Sequence, residues 1–216
     1  RQMCIRDRFC LLLYFFFTLL LLFALNCSIS GSLMFVVFEI VGAMDSWDHA
    51  VNTFRFNHDY LSEESVVLAD ADVIHSTSFD TKIKPIWVKN GEIDVIVGGP
   101  PCQGLSLAGK RIADDSRNQL FRAFVAAIKK LQPRAFVMEN VPGLLSICGG
   151  LLNSAILVAF KDAGYNSFTE HMPRILKSEE YGVPQIRRRL FYVGVRDGNE
   201  VGEFQWPPKI THRMPD

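Results

Sequence analysis

The chain has 216 residues, 23 acidic and 23 basic, with a formal net charge of +0. Hydrophobic residues at 49% against charged residues at 21% exclude a disordered chain and allow one domain with a sizeable core. The balanced charge also excludes capture of a polyanion by bulk electrostatics, so any nucleic-acid contact must rest on local clusters, of which Lys110-Arg111 and Arg187-Arg188-Arg189 are the candidates.

Residues 9–25 carry no charge and follow Arg1, Arg6 and Arg8, a pattern that reads as a signal peptide or a short membrane anchor. From Phe38 the pattern changes. Residues 38–44 predict a strand closed by Asp45, and residues 48–56 a helix with Ala50, Val51 and Phe54 on one face. Residues 93–97 predict a buried strand that breaks into Gly98-Gly99-Pro100-Pro101-Cys102-Gln103-Gly104. After a polar stretch at 114–117, Leu120, Phe121, Phe124, Val125, Ile128 and Leu131 recur at helical spacing until Pro133. Residues 135–138 predict the next strand, breaking at Glu139-Asn140-Val141-Pro142-Gly143; residues 151–160 predict a helix ending near Gly164, and residues 190–195 a last strand. Strands alternating with helices predict parallel βαβ units in a doubly wound α/β sheet.

The 5 cysteines form no CxxC and no paired Cys/His spacing, so no structural metal is predicted. Cys148, beside Gly149-Gly150, reads as a small hydrophobe filling space. Cys102 has a chemical context, a thiol on a loop at a strand end, which is where α/β enzymes keep their chemistry. Its two glycines permit close approach of a ligand to the backbone, and its two prolines stiffen the loop. Taken alone, this loop reads equally as a stiff turn carrying an incidental cysteine. Glu139 alone would read as a strand-end carboxylate capping the next helix. Gln185-x-Arg187-x-Arg189 places three side chains on one face if the segment is extended, either to meet one ligand or as a basic edge strand kept soluble by arginine.

Four segments in order, Pro100-Pro101-Cys102-Gln103-Gly104, Arg117-Asn118-Gln119-Leu120-Phe121, Glu139-Asn140-Val141, and Gln185-x-Arg187-x-Arg189 after Gly182-Val183-Pro184, resemble the ordered blocks of the C5-cytosine DNA methyltransferase family. The resemblance runs from about Phe38 to the C-terminus. It implies a Rossmann-like core that uses S-adenosylmethionine and acts on double-stranded DNA. It implies that the Cys102 thiolate adds to C6 of a flipped cytosine, that Glu139 works at N3 and Arg189 at O2, and that Arg187 steadies the thiol loop or the target phosphate. Asn140 and Gln185 would support that geometry. On the cofactor side the resemblance implies Asp45 at the ribose hydroxyls, Asp72 and Val73 at the adenine with Asp70 a close competitor, and Pro101 and Leu120 along the methionine. Trp47 lies two residues after Asp45, whereas the family commonly has its stacking residue directly after the acid, where this chain has Ser46. A tRNA methyltransferase of the same superfamily would share this chemistry, but Pro142-Gly143 and Gly104-Leu105-Ser106 look more like the DNA enzymes.

Two features of the family pattern are not found in this sequence. The Phe-x-Gly-x-Gly block expected before Asp45 is replaced by a stretch containing Cys27-Ser28-Ile29-Ser30-Gly31-Ser32, so residues 1–37 are expected to be non-native; an authentic signal or anchor is the alternative. The variable DNA-reading domain expected after the arginine block is not found before Asp216, so residues 38–216 are expected to be a partial, truncated catalytic domain, and an inactive fragment is the alternative. No metal, obligate protein partner or membrane partner is expected, and the expected place of action is the bacterial cytoplasm.

Overall fold

The computed structural model of the chain describes residues 39–89, 91–100, 119–165, 173–198 and 206–212. Among these are six strands, β1 (Ala43–Asp45), β2 (Val66–Leu68), β3 (Val95–Gly98), β4 (Ala135–Asn140), β5 (Arg174–Lys177) and β6 (Arg188–Val195). Four α-helices accompany them, α1 (Asp48–Asn57), α2 (Lys84–Trp87), α3 (Gln119–Leu131) and α4 (Leu151–Lys161), with 3-10 turns and one π-helical turn (Phe79–Ile83) between. β1 and β2 pair in parallel, and a second sheet has the order β3-β4-β6-β5. In that sheet β3 and β4 are parallel, while β6 runs antiparallel to both β4 and β5.

The sequence explains the central strand. Phe136, Val137, Met138, Glu139 and Asn140 are buried in succession because β3 and β6 flank β4 and both faces of the sheet are covered there. A ring in β4 sets the register: Phe136 pairs with Gly194, and a Cβ on Gly194 would lie 2.2 Å from the Phe136 ring. Phe136 also stacks at a tilt on Phe160 of α4, ring centres 4.2 Å apart.

Helix α3 joins the two parts of the fold. Phe121, Val125 and Ile128 enter the large core with Phe136, Phe160 and Tyr192, whereas Ala127 and Leu131 enter a second cluster with Ile74, Phe79, Ile83 and Ile93. Met44 of β1 and Val67 of β2 pack on that second cluster. Lys129 and Lys130 complement the negative end of the helix, Gln132 turns left-handed (φ 47°), and Pro133 cannot continue the helix.

The structure corrects several expectations. The strand expected over 38–44 narrows to Ala43–Asp45; at Gly42 the indole of Trp87 comes so close that a Cβ would lie 2.0 Å from its Nε1. The short strands β2 and β5 lie in stretches read as neither strand nor helix. The parallel pairs β1–β2 and β3–β4 fit the expected βαβ units, but β5 and β6 make the far half of the large sheet antiparallel. A single turn, Ser178–Tyr181, follows β5, and so short a return favours an antiparallel neighbour.

Tyr165 ties the end of α4 to the end of α3. Its ring is fully buried, its hydroxyl donates to the Pro133 carbonyl at 2.7 Å, and burial pushes the phenol up to about 12 despite the opposing pull of Arg196. Tyr165→Phe leaves that carbonyl without its donor and is expected to cost about 1–3 kcal/mol of unfolding free energy. The phenol ionises near 10.0 in an unfolded chain and near 12 in the folded one. The unfolded state therefore sheds its proton first, and the contribution of Tyr165 to stability declines as pH rises through that interval. Denaturant titrations on either side of the interval should show the wild type losing more stability than Tyr165→Phe.

Candidate active site

The site is built where β4 ends. Glu139 and Asn140 are its last two residues, because β6 continues to pair there, Glu139 with Phe191 and Asn140 with Leu190. This corrects the expected strand break at Glu139. Side chains directly across an antiparallel pair share a face, and alternate residues return to it, so Arg189 lies on the face of Glu139. There Arg189 Nε lies 2.8 Å from Glu139 Oε1, with side chains only 13% and 9% exposed. Arg189 Nη1 also donates to the Arg188 carbonyl at 2.8 Å, which fixes the plane of the guanidinium.

Asn140 points the other way and grips the entrance of the thiol loop. Its Nδ2 donates to the Pro100 carbonyl at 2.9 Å, and its Oδ1 accepts from Val141 N at 2.9 Å. Parallel pairing of Gly98 with Met138 brings the chain after β3 alongside the end of β4, which puts Pro100 within reach. Gly98 packs against Phe124, where a Cβ would lie 2.6 Å from the ring, and a Cβ on Gly99 would lie 3.2 Å from Glu139 Oε2. Both glycines thus have protein neighbours where the sequence reading expected a ligand. Cys102 and Pro101 lie outside the described residues.

The arginine segment is held by groups that the sequence reading did not single out. Fully buried Ser178 donates from its backbone N to the Arg187 carbonyl at 2.9 Å and from its hydroxyl to the Gln185 carbonyl. Arg187 N donates to Glu179 Oε2 at 3.4 Å. The signal was the polar run Ser178-Glu179-Glu180 ahead of Tyr181-Gly182, a 3-10 turn that ends at Gly182 with φ 79°. A stretch near the C-terminus braces this turn from outside: Tyr181 donates to the Pro208 carbonyl at 3.2 Å, and the Glu180 carbonyl accepts from Thr211 N and His212 N at 3.1 and 3.0 Å. β6 begins only at Arg188, and Gln185 sits in a bend in which its N donates to the Val183 carbonyl at 2.7 Å. The single extended face expected for Gln185, Arg187 and Arg189 therefore does not form, because Pro184 starts a bend before the strand.

The cofactor candidates sit at other strand ends. Asp45 closes β1; its Oδ1 accepts from Trp47 N at 2.8 Å and its carbonyl from Ala69 N at 3.0 Å. Asp72 and Val73 lie in the 3-10 turn Ala71–His75 that follows β2, with Asp72 exposed and Val73 packed on the second cluster. Asp70 caps that turn, its carbonyl accepting from Val73 N at 3.0 Å. Leu120 stands half-buried in the first turn of α3. The described residues therefore bring Glu139, Arg189, Asn140 and Pro100 together, while Asp45, Asp72, Val73 and Leu120 mark the ends of β1, β2 and α3.

Removing one partner of a largely buried ion pair strands the other charge. Arg189→Ala is expected to cost about 3 kcal/mol of unfolding free energy, against roughly 0.5 kcal/mol or less for Arg188→Ala, whose side chain is exposed. Chemical denaturation of the two variants checks this.

The family model described as "C-5 cytosine-specific DNA methylase" matches residues 17–216, a range that takes in part of the apolar N-terminal segment. The Type II methyltransferase M1.HphI of Haemophilus parahaemolyticus is 35% identical over 159 residues, 71% of this chain and 39% of that protein. The Type II methyltransferase M.AgeI of Thalassovita gelatinovora is 36% identical over 177 residues, 81% of this chain and 38% of that protein. Among solved structures, one titled as a prophage-encoded DNA modification methyltransferase of E. coli superposes with a TM-score of 0.52 at 30% identity, over 72% of this chain and 40% of that one. The chain thus spans about two fifths of the length of these relatives. With the family model covering nearly all of its length, the chain belongs to the C-5 cytosine-specific DNA methylase family.

Proposed function

We propose that the protein is a DNA cytosine-5 methyltransferase of a bacterial modification system, working in the cytoplasm on double-stranded DNA. The observation that carries this reading is the Glu139–Arg189 pair at the end of β4, next to a thiol-loop entrance clamped by Asn140. The family model, described as a C-5 cytosine-specific DNA methylase, and the E. coli structure titled as a DNA modification methyltransferase support DNA as the substrate.

The chemistry requires such a pair. Cytosine C5 belongs to an aromatic ring and is a poor nucleophile, so a prior addition must break the aromaticity. The Cys102 thiolate adds to C6, and the electrons displaced by the new S–C bond move toward C5 and N3. Glu139 meets the charge that builds at N3 by sharing a proton there, and Arg189 holds the base at O2 while keeping the carboxyl in place. Once C5 carries the methyl group that S-adenosylmethionine would supply, loss of the C5 proton and elimination of the Cys102 thiolate from C6 would restore the ring. A stacked base exposes neither face of the ring to a thiol, so the target cytosine must leave the duplex first.

S-adenosylmethionine, when bound, supplies an electrophilic methyl group. Asp45 fits the ribose hydroxyls, since its carboxylate stands at a strand end, already oriented by the Trp47 N–H, and is an acceptor. Asp72 and Val73 would hold the adenine, and Pro101 and Leu120 would flank the methionine chain.

In a protein that joins these residues to the Gly-rich block and the DNA-reading domain, duplex DNA carrying 5-fluorocytosine should trap the enzyme covalently in the presence of S-adenosylmethionine, because fluorine at C5 does not leave as a proton. The adduct should be missing in Cys102→Ala; an adduct that survives this substitution overturns the assignment. Glu139→Gln should lower methyl transfer by roughly a hundredfold or more while binding of DNA changes little.

A further inference from the structure

Gly99 has no backbone reason to be glycine, since its φ lies outside the left-handed region. What a side chain would meet there is the carboxylate of Glu139, with Oε2 at 3.2 Å and the Glu139 carbonyl at 3.9 Å from a Cβ. A contact at 3.2 Å demands that one side give way by a few tenths of an ångström, and both sides are tethered. On one side Arg189 Nε holds Oε1 at 2.8 Å; on the other the Asn140 amide holds the Pro100 carbonyl at 2.9 Å, one residue beyond Gly99. Gly98 differs in kind, because a Cβ there would strike the Phe124 ring at 2.6 Å and disturb only packing.

We infer that Gly99 is a positioning residue for the reaction: its bare Cα lets the Glu139 carboxylate lie against the main chain at Gly99 and Pro100, so that the acid is held in register with the end of β3 and the residues that follow it. The inference rests on the proposed function for its catalytic part. Its structural part stands on the contact alone. A methyl group at residue 99 separates the two roles, because it pushes the carboxylate from its place and leaves the carboxyl chemistry intact.

Gly99→Ala, Glu139→Ala and the double variant, made in the full chain, separate these parts when compared by thermal melting and by methyl transfer. Replacing glycine by alanine ordinarily stabilises a protein by restricting the unfolded chain. Gly99→Ala should therefore lower the melting temperature when Glu139 is present and raise it when Glu139 is alanine. In methyl transfer, Gly99→Ala should lose about tenfold or more in kcat, with KM for DNA within about twofold of the wild type. Equal melting shifts in both backgrounds would overturn the contact, and a coupled shift with unchanged kcat would overturn the positioning role. If Gly99→Ala fails to fold while Glu139→Ala folds, the double variant should fold as Glu139→Ala does, and its failure would also overturn the contact. A wild-type protein that transfers no methyl group counts against the proposed function, and the melting comparison still decides the contact.

Discussion

A carboxylate and a guanidinium meet at 2.8 Å where β4 ends against β6, both largely withdrawn from water. Each charge alone would be costly there, so the pair is tolerable only as a pair, with Arg189 further tied to the Arg188 carbonyl. The sheet must therefore deliver the two residues to the same face at the same depth. A slip of one residue between β4 and β6 would send Arg189 to the opposite face, bury Glu139 without a partner and break the antiparallel match of Phe136 with Gly194. The apolar register and the ionic one hold each other in place.

Around this pair the chain gathers from distant parts of the sequence. β3 carries the thiol-loop entrance alongside β4, where Asn140 captures the Pro100 carbonyl. The turn Ser178–Tyr181 fixes the backbone of Gln185 and Arg187, and residues 206–212 brace that turn in their own right. Helix α3, with one apolar face for each cluster, keeps β1 and β2 attached to the sheet that holds the acid. The geometry of the pair thus depends on contacts that reach it from distant parts of the sequence, the close approach of Gly99 to Glu139 among them.

Much of this was legible in the residues. The spacing of Phe121, Phe124, Val125, Ile128 and Leu131 marks α3, and Pro133 marks its end, because helical period and proline sterics act locally. The ordered motifs single out Glu139, Asn140 and Arg189, which the fold brings together. What the sequence hid was nonlocal. Strands as short as β2 and β5 have too few residues to show a period, and the extension of β4 through Asn140 depends on β6 remaining paired more than 40 residues later. Ser178 looks like any turn serine until its hydroxyl is seen on the Gln185 carbonyl. Gly99 reads as a place for a ligand until its neighbour proves to be Glu139.

The central claim is that this constellation methylates carbon 5 of cytosine in DNA. Nucleoside analysis by mass spectrometry, after incubation of the protein with labelled S-adenosylmethionine and a mixture of duplex DNA and transfer RNA, tests it most directly. Label in 5-methyl-2′-deoxycytidine is the predicted result. Label confined to RNA cytidine or to an exocyclic nitrogen would contradict the account.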